Sequence, residues 1–201
     1  MTVDTVATDV RTSPLASWRE EFEALPGAVR LRELPFLTQL SLRVAPGSAA
    51  ADEVGAVLGT ALPDQPCTSA RAGDVEVLWL GPDEWLVVAP DGSEELEGKL
   101  RAAVAGAGAV VDTSAQRTTL HLTGTKAREL LAHGCSIDLH PSVNHAGSCV
   151  MTHLAKAGVL LQTRSDAADD YWVMVRSSFA GYLAAWLVDA CHGHRRDPQW
   201  Q

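Results

Sequence analysis

The sequence predicts an α+β fold in which one strand–helix–strand–strand–helix unit occurs twice, the two copies related by pseudo-twofold symmetry. Three observations predict it. First, residues 38–44 (TQLSLRV) and 118–124 (TTLHLTG), 80 residues apart, alternate apolar and polar side chains with the period of two that half-buried strands have. Second, each of these strands is followed by apolar residues at helical spacing and then by a glycine. Third, two hairpins with acidic turns, offset by 86 residues, each lead into a further helical pattern. The drift from 80 to 86 indicates a shared pattern with loop insertions and not a strict tandem array. Each sheet then needs helices over one face to bury its apolar side.

In chain order, the first 28 residues form a leader. Its Thr- and Asp-rich part through Pro14 has too little apolar surface for a core and is expected to be loose or laid along a partner. Trp18, Phe22 and Leu25, at i, i+4 and i+7, then predict a short helix that Pro26-Gly27 stops. The duplicated body is expected over 29–191, with repeat one at about 36–104 and repeat two at about 110–190, followed by a tail, 192–201. Repeat one continues from its first strand into a helix marked by Val54, Val57 and Leu58. Gly59 stands where a left-handed C-cap is wanted. Strands at 75–79 and 83–89 follow, then a helix marked by Leu96 and Leu100. Repeat two has Ala127, Leu130 and Leu131 on a helix with Thr123 or Thr125 as N-cap and Gly134 as a left-handed C-cap. Strands at 158–162 and 169–175 come next, then a helix carrying Phe179, Leu183, Trp186 and Leu187. Asp83 and Asp169 sit at equivalent hairpin tips, where carboxylates serve turn chemistry more often than acid–base catalysis.

Composition removes whole classes of function. Of 201 residues, 46% are hydrophobic and 20% charged, which is globular and not disordered. Sixteen basic against twenty-five acidic residues leave a net charge of −9, so neither nucleic acid nor an anionic membrane surface is an expected partner. Apolar runs such as 106–111 fall far short of the roughly 20 residues that span a bilayer. The opening residues lack the apolar core of a secretory signal, so the cytoplasm is the expected compartment. Cys67, Cys135, Cys149 and Cys191, spaced by 68, 14 and 42, match no CxxC pattern and are expected as reduced thiols.

No motif names an active site. Gly106-Ala107-Gly108 has no third glycine and precedes a strand-like Val110-Val111 where a dinucleotide fingerprint opens a helix. Gly124-Thr125-Lys126 lacks the order of a phosphate-binding loop. Cys135, His140, His145, Cys149 and His153 interleave within reach of zinc spacing, but without a close cysteine pair or an HExxH run. Cys149 is the one nucleophile candidate, given five histidines between 121 and 153. His121 lies on the strand face opposite Leu120 and Leu122, and His192 and His194 sit beside Arg195-Arg196 in the tail. The six tryptophans (Trp18, Trp79, Trp85, Trp172, Trp186, Trp200) suit a chain that buries interfaces. Trp85 and Trp186 are expected in the core, and Trp18 at an interface. Expected catalytic, cofactor-binding and metal-binding residues are therefore none.

The run from Val111 through Pro141, with Gly147-Ser148-Cys149, the segment Leu80-Gly81-Pro82-Asp83-Glu84-Trp85-Leu86 and the segment from Arg176 to Leu183, resembles the gamma subunits of heterotetrameric sarcosine oxidases over most of 30–191. The resemblance implies a non-catalytic chain. Its alpha, beta and delta partners would oxidatively demethylate sarcosine to glycine and form 5,10-methylenetetrahydrofolate and hydrogen peroxide. It implies FAD, covalent FMN and NAD on alpha and beta, tetrahydrofolate on alpha, zinc on delta and no cofactor on this chain. It also implies the folate-binding-domain architecture of the glycine cleavage T-protein, although no stretch here matches that protein's folate-contacting acid and arginine. The alternative is a stand-alone folate-binding one-carbon transfer protein.

Overall fold

The computed structural model describes residues 11–193 and 198–200. The leader up to residue 10, the tail segment 194–197, residue 201 and the side chains of Glu94 and Trp200 lie outside the described part. A 3-10 turn at Ala16–Trp18 runs into α1 (Arg19–Glu23). Phe22 is buried there, with Trp18 and Leu25 packed beside it, as their spacing predicts. The chain continues through β1 (Arg30–Leu34), β2 (Thr38–Val44), α2 (Ala49–Leu58), β3 (Ser69–Ala72), β4 (Val75–Gly81), β5 (Glu84–Ala89) and α3 (Glu94–Val104). Then come β6 (Gly108–Asp112), β7 (Arg117–Thr123), α4 (Ala127–Ala132), β8 (Cys149–Leu154), β9 (Ala157–Thr163), β10 (Asp170–Arg176) and α5 (Ala180–His192).

The ten strands form two antiparallel five-stranded sheets, β1-β7-β10-β9-β8 and β3-β4-β5-β2-β6. Two features of this topology are not in the sequence reading. Short strands β3 and β8 each add an edge, hydrogen-bonded to β4 and β9 respectively. In addition, β1 leaves the chain segment that builds the second sheet and pairs with β7 in the first, while β6 returns to pair with β2 in the second. Each sheet thus takes one edge strand from the other side of the chain.

Alternation along the strands divides the interior into three. Leu40, Leu42, Val77, Trp85 and Val87 face α2 and α3. Leu120, Leu122, Leu161, Tyr171 and Val173 face α1, α4 and α5. The opposite strand faces meet each other through Leu78, Leu86 and Val88 from one sheet and Cys149, Leu160 and Met174 from the other. The layers therefore run helix, sheet, sheet, helix. Strand runs such as Glu84–Ala89 read as continuously apolar because both of their faces are buried. At the β3 and β8 edges the sheets are stitched by backbone bonds, Ser69 N–H to Gly147 O at 2.7 Å and Cys149 N–H to Cys67 O at 2.8 Å.

The helix ends agree with sequence in α2 and depart from it in α4. Ser48 accepts a bond from the Ala51 amide at the N-cap, and Gly59 closes α2 with φ +74°. Val57, however, points outward and is 38% exposed. In α4 neither Thr123 nor Thr125 caps; Lys126 occupies the N-cap without a side-chain bond, and His133 ends the helix in right-handed conformation. Gly134 is a glycine for a steric reason instead. A Cβ there would meet two ring atoms of Trp186 at 2.6 and 2.7 Å.

Candidate functional site

The most organised polar arrangement lies in the seam between the sheets. On β4, Glu76 alternates with Val75 and Val77, so its side chain points away from the helices and into the seam, where it is 3% exposed. Burying a carboxylate requires compensation. Gln162 donates from Nε2 to Glu76 Oε2 at 2.8 Å, and Arg164 donates from Nη1 to Oε1 at 2.7 Å. Arg71 approaches from β3 at 3.5 Å. The Arg164 guanidinium also lies over the Trp172 ring at 4.0 Å, a cation–π arrangement at a largely buried site.

The network extends along the first sheet. Asp170, the opening residue of β10, lies 3.9 Å from Arg164 and accepts from His121 at 2.9 Å. The other ring nitrogen of His121, Nδ1, receives Arg32 Nε at 3.2 Å and Nη2 at 3.1 Å. A guanidinium only donates, so Nδ1 accepts and the ring proton sits on Nε2, toward Asp170. A His–Asp pair is half of a catalytic triad in outline. Here both ring nitrogens are engaged within the protein, and no lone pair is left to take a substrate proton.

A cleft of about 480 Å³ opens where the β1–β2 and β6–β7 connections cross between the sheets. Phe36, Leu40 and Pro14 supply its apolar wall, and Thr38, Ser114, Thr118 and Ser177 its hydroxyls. Among its charged residues, Arg11 holds Asp91 through two bonds of 3.1 Å, Glu97 holds Arg101 at 2.6 Å, and Asp112 accepts from Ser114. Arg117 also lines it. Its pKa is lowered by burial and then by Arg176 opposite, with Glu84 opposing the shift. A second, apolar hollow of about 680 Å³ is framed by Pro46, Pro63, Pro66, Pro82, Trp79 and Trp85.

The residues singled out by sequence end up scattered. Cys149 is buried in the seam, and burial pushes its thiol up to about 12, the reverse of an activated nucleophile. All four cysteines are free. His140 engages Ser142, His145 engages the Ala146 carbonyl, and His153 is exposed. Among the described residues no three His, Cys, Asp or Glu side chains are placed to hold a metal ion. Gly106 takes φ +83° in the turn before β6, as a loop glycine. Asp83 is a turn residue 3.7 Å from Arg43. The second hairpin differs: a longer loop separates Thr163 from Asp170, so Asp169 lies at the end of that loop just before β10 and not at a tight tip, and it is the next residue, Asp170, that pairs with His121. Trp85 is 2% exposed and donates from Nε1 to Pro63 O at 2.8 Å, whereas Trp186 is only partly buried against the core. Trp18, expected at an interface, also packs against that core. Sequence reading missed Glu76, Gln162 and Arg164. The available signal was an acid inside an otherwise apolar strand, 75–79.

No helix among the described residues is long and apolar enough to cross a membrane. Residues 43–193 match the model of the family described as sarcosine oxidase, gamma subunit. The chain is 40% identical over 188 residues to sarcosine oxidase subunit gamma of Arthrobacter sp, covering 92% of this chain and 91% of that one. Against the same subunit of Corynebacterium sp. (strain P-1) the identity is 37% over 198 residues, covering 96% and 95%. Among solved structures, a chain of the heterotetrameric sarcosine oxidase from Corynebacterium sp. U-96, in complex with pyrrole 2-carboxylate, superposes with a TM-score of 0.85 at 35% identity, covering 91% of this chain and 95% of that one. The glycine cleavage system aminomethyltransferase T from Bartonella henselae superposes with a TM-score of 0.60 at 14% identity, covering 84% of this chain and 48% of that one. That second likeness is one of fold.

Proposed function

The chain belongs to the sarcosine oxidase gamma subunit family, and from that premise we propose that it is a non-catalytic subunit that supports assembly or stability of a heterotetrameric sarcosine oxidase. The observation that carries this reading is the likeness, over nearly the whole chain, to a chain of a solved heterotetramer. The side-chain chemistry supports it, since His121 has no free ring nitrogen and Cys149 is held as a thiol.

In this reading the partners are the alpha, beta and delta chains, which carry FAD, FMN, NAD, tetrahydrofolate and zinc, and this chain binds no cofactor or metal. The complex oxidatively demethylates sarcosine to glycine with formation of methylenetetrahydrofolate and hydrogen peroxide in the cytoplasm. The two sheets with their helices are two copies of one unit related by a pseudo-twofold axis, within a body over 29–191 flanked by the leader and tail. The fold likeness to aminomethyltransferase T supports descent from a folate-binding domain.

The test is co-expression of the other three chains with and without this one. Loss of the assembled complex, or of its heat resistance, is the expected result of omission. Assembly and sarcosine turnover at full level without this chain would remove the role. Titration of the isolated chain with tetrahydrofolate separates the alternative, because a stand-alone one-carbon carrier requires micromolar or tighter binding.

A further inference from the structure

The register of β7 against β10 sets Arg117 directly opposite Arg176. Like charges in directly opposed antiparallel positions repel, and natural sheets avoid them unless something else gains. This chain has acid to spare, with twenty-five carboxylate side chains against sixteen bases. Yet neither arginine has a salt bridge or side-chain hydrogen bond among the described residues, while Arg11, Arg43, Arg101 and Arg164 each hold a carboxylate. Glu84, whose field reaches Arg117, is committed to Arg43 at 2.6 Å. Arg117 is moreover partly buried, so its guanidinium has given up water without an internal counter-ion.

The surroundings fit an incoming side chain. Arg117 lines the 480 Å³ cleft, and every other charged residue of that lining is already engaged within the chain. Three residues beyond Arg176, Phe179 stands edge-on to Tyr182 with ring centroids 6.4 Å apart, and the two are 45% and 40% exposed. Exposed aromatic residues this close in sequence to an exposed arginine match the residue types enriched at interfaces.

We propose that the Arg117–Arg176 pair receives an aspartate or glutamate side chain of another subunit of the oxidase, docked at the mouth of this cleft. The proposal rests on the subunit reading above. A carboxylate there would accept charge-assisted hydrogen bonds from guanidinium donors and offset the repulsion between the two arginines.

The experiment captures the complex through a tag on this chain, co-expressed with the other three chains, and compares wild type with Arg117→Gln, Arg176→Gln, the double variant and Arg117→Lys. The isolated variants are melted in parallel. Neutralising one arginine is expected to weaken capture at least tenfold, on the order of a lost buried charge contact, with Arg117→Lys intermediate. In the isolated chain the same change relieves repulsion, so its melting temperature is expected to stay level or rise. A merely structural role would lower it, and that result overturns the proposal. So does undiminished capture by the double variant while wild type brings down its partners. If wild type itself brings down no partner, the subunit reading fails first. Stabilisation of the isolated wild-type chain by free glutarate, absent in Arg117→Gln, would assign the pair to a small carboxylate instead and would equally sink the docking contact.

Discussion

Glu76 ties the sheets together through one carboxylate, so its removal takes the 2.7 Å partner from the buried Arg164 and leaves it Asp170 at 3.9 Å. Glu76→Ala is expected to destabilise the chain by about 3–5 kcal/mol, the range for breaking a buried pair on one side. Glu76→Gln, which keeps shape and hydrogen bonding, is expected to cost less. Urea unfolding of both variants measures this, and equal stabilities would show that the charge does not matter. The cysteines give a second residue-scale prediction. Cys149 and Cys191 are buried with thiols pushed up to about 12 from 9.0, whereas Cys67 is exposed. A thiol reagent at neutral pH should modify Cys67 first, and Cys149 and Cys191 only on unfolding. The folded-state pKa is the raised one, so the unfolded chain ionises first as pH climbs. Stability is therefore full below about 9 and lost progressively from there to about 12, with Tyr171, also raised to about 12, acting in the same direction. A melting temperature that is flat across that window would contradict the buried-thiol picture. Glu76 was visible in sequence as an acid in an apolar strand, but its partners lie 86 and 88 residues away and no local pattern links them.

At the scale of elements, most of what sequence could read was periodicity. Strand 38–44 falls where alternation places it, strands 75–81, 84–89 and 170–176 fall within two residues of where short apolar runs place them, and the helices after 38–44, 84–89 and 170–176 follow helical spacing, because burial of an element's faces is written in residues close together in the chain. The errors were at ends and edges. A glycine after a helix reads as a left-handed cap, and at Gly59 it is one; at Gly134 the absent Cβ makes room for the ring of Trp186 on α5. Gly134→Ala is expected to destabilise by about 1–3 kcal/mol through overpacking. Combining it with a smaller residue at position 186 should recover part of that loss, as a double-mutant cycle would detect. Simple additivity of the two changes would reject the steric explanation. The short strands β3 and β8, four and six residues long, were hard to foresee, since edge strands carry weak apolar alternation.

For the whole molecule, the exchange of β1 and β6 is the property with the largest consequence. Neither half of the chain contains a complete sheet, because residues 1–104 supply β1 to the other half and lack β6. Each half expressed alone is expected to lack cooperative unfolding, and mixing the two should restore it, which circular dichroism during thermal melting would follow. Independent two-state folding of either half would contradict this dependence. The seam also places Leu86 among strand residues of both sheets, so Leu86→Ala is expected to cost about 2–5 kcal/mol and to loosen both sheets together. By itself the sequence determined the alternation, the order of the three strands and two helices that each half shares, and the motifs that carry the family, but not the edge strands. Those are set by residues near one another in the chain, where burial of one face and local turn chemistry act. Only the tertiary structure decided which sheet each edge strand joins, that Glu76 and Arg164 meet, and that Arg117 faces Arg176. Those depend on two sheets packing back to back, and the energy of that contact belongs to residue pairs that no local window contains.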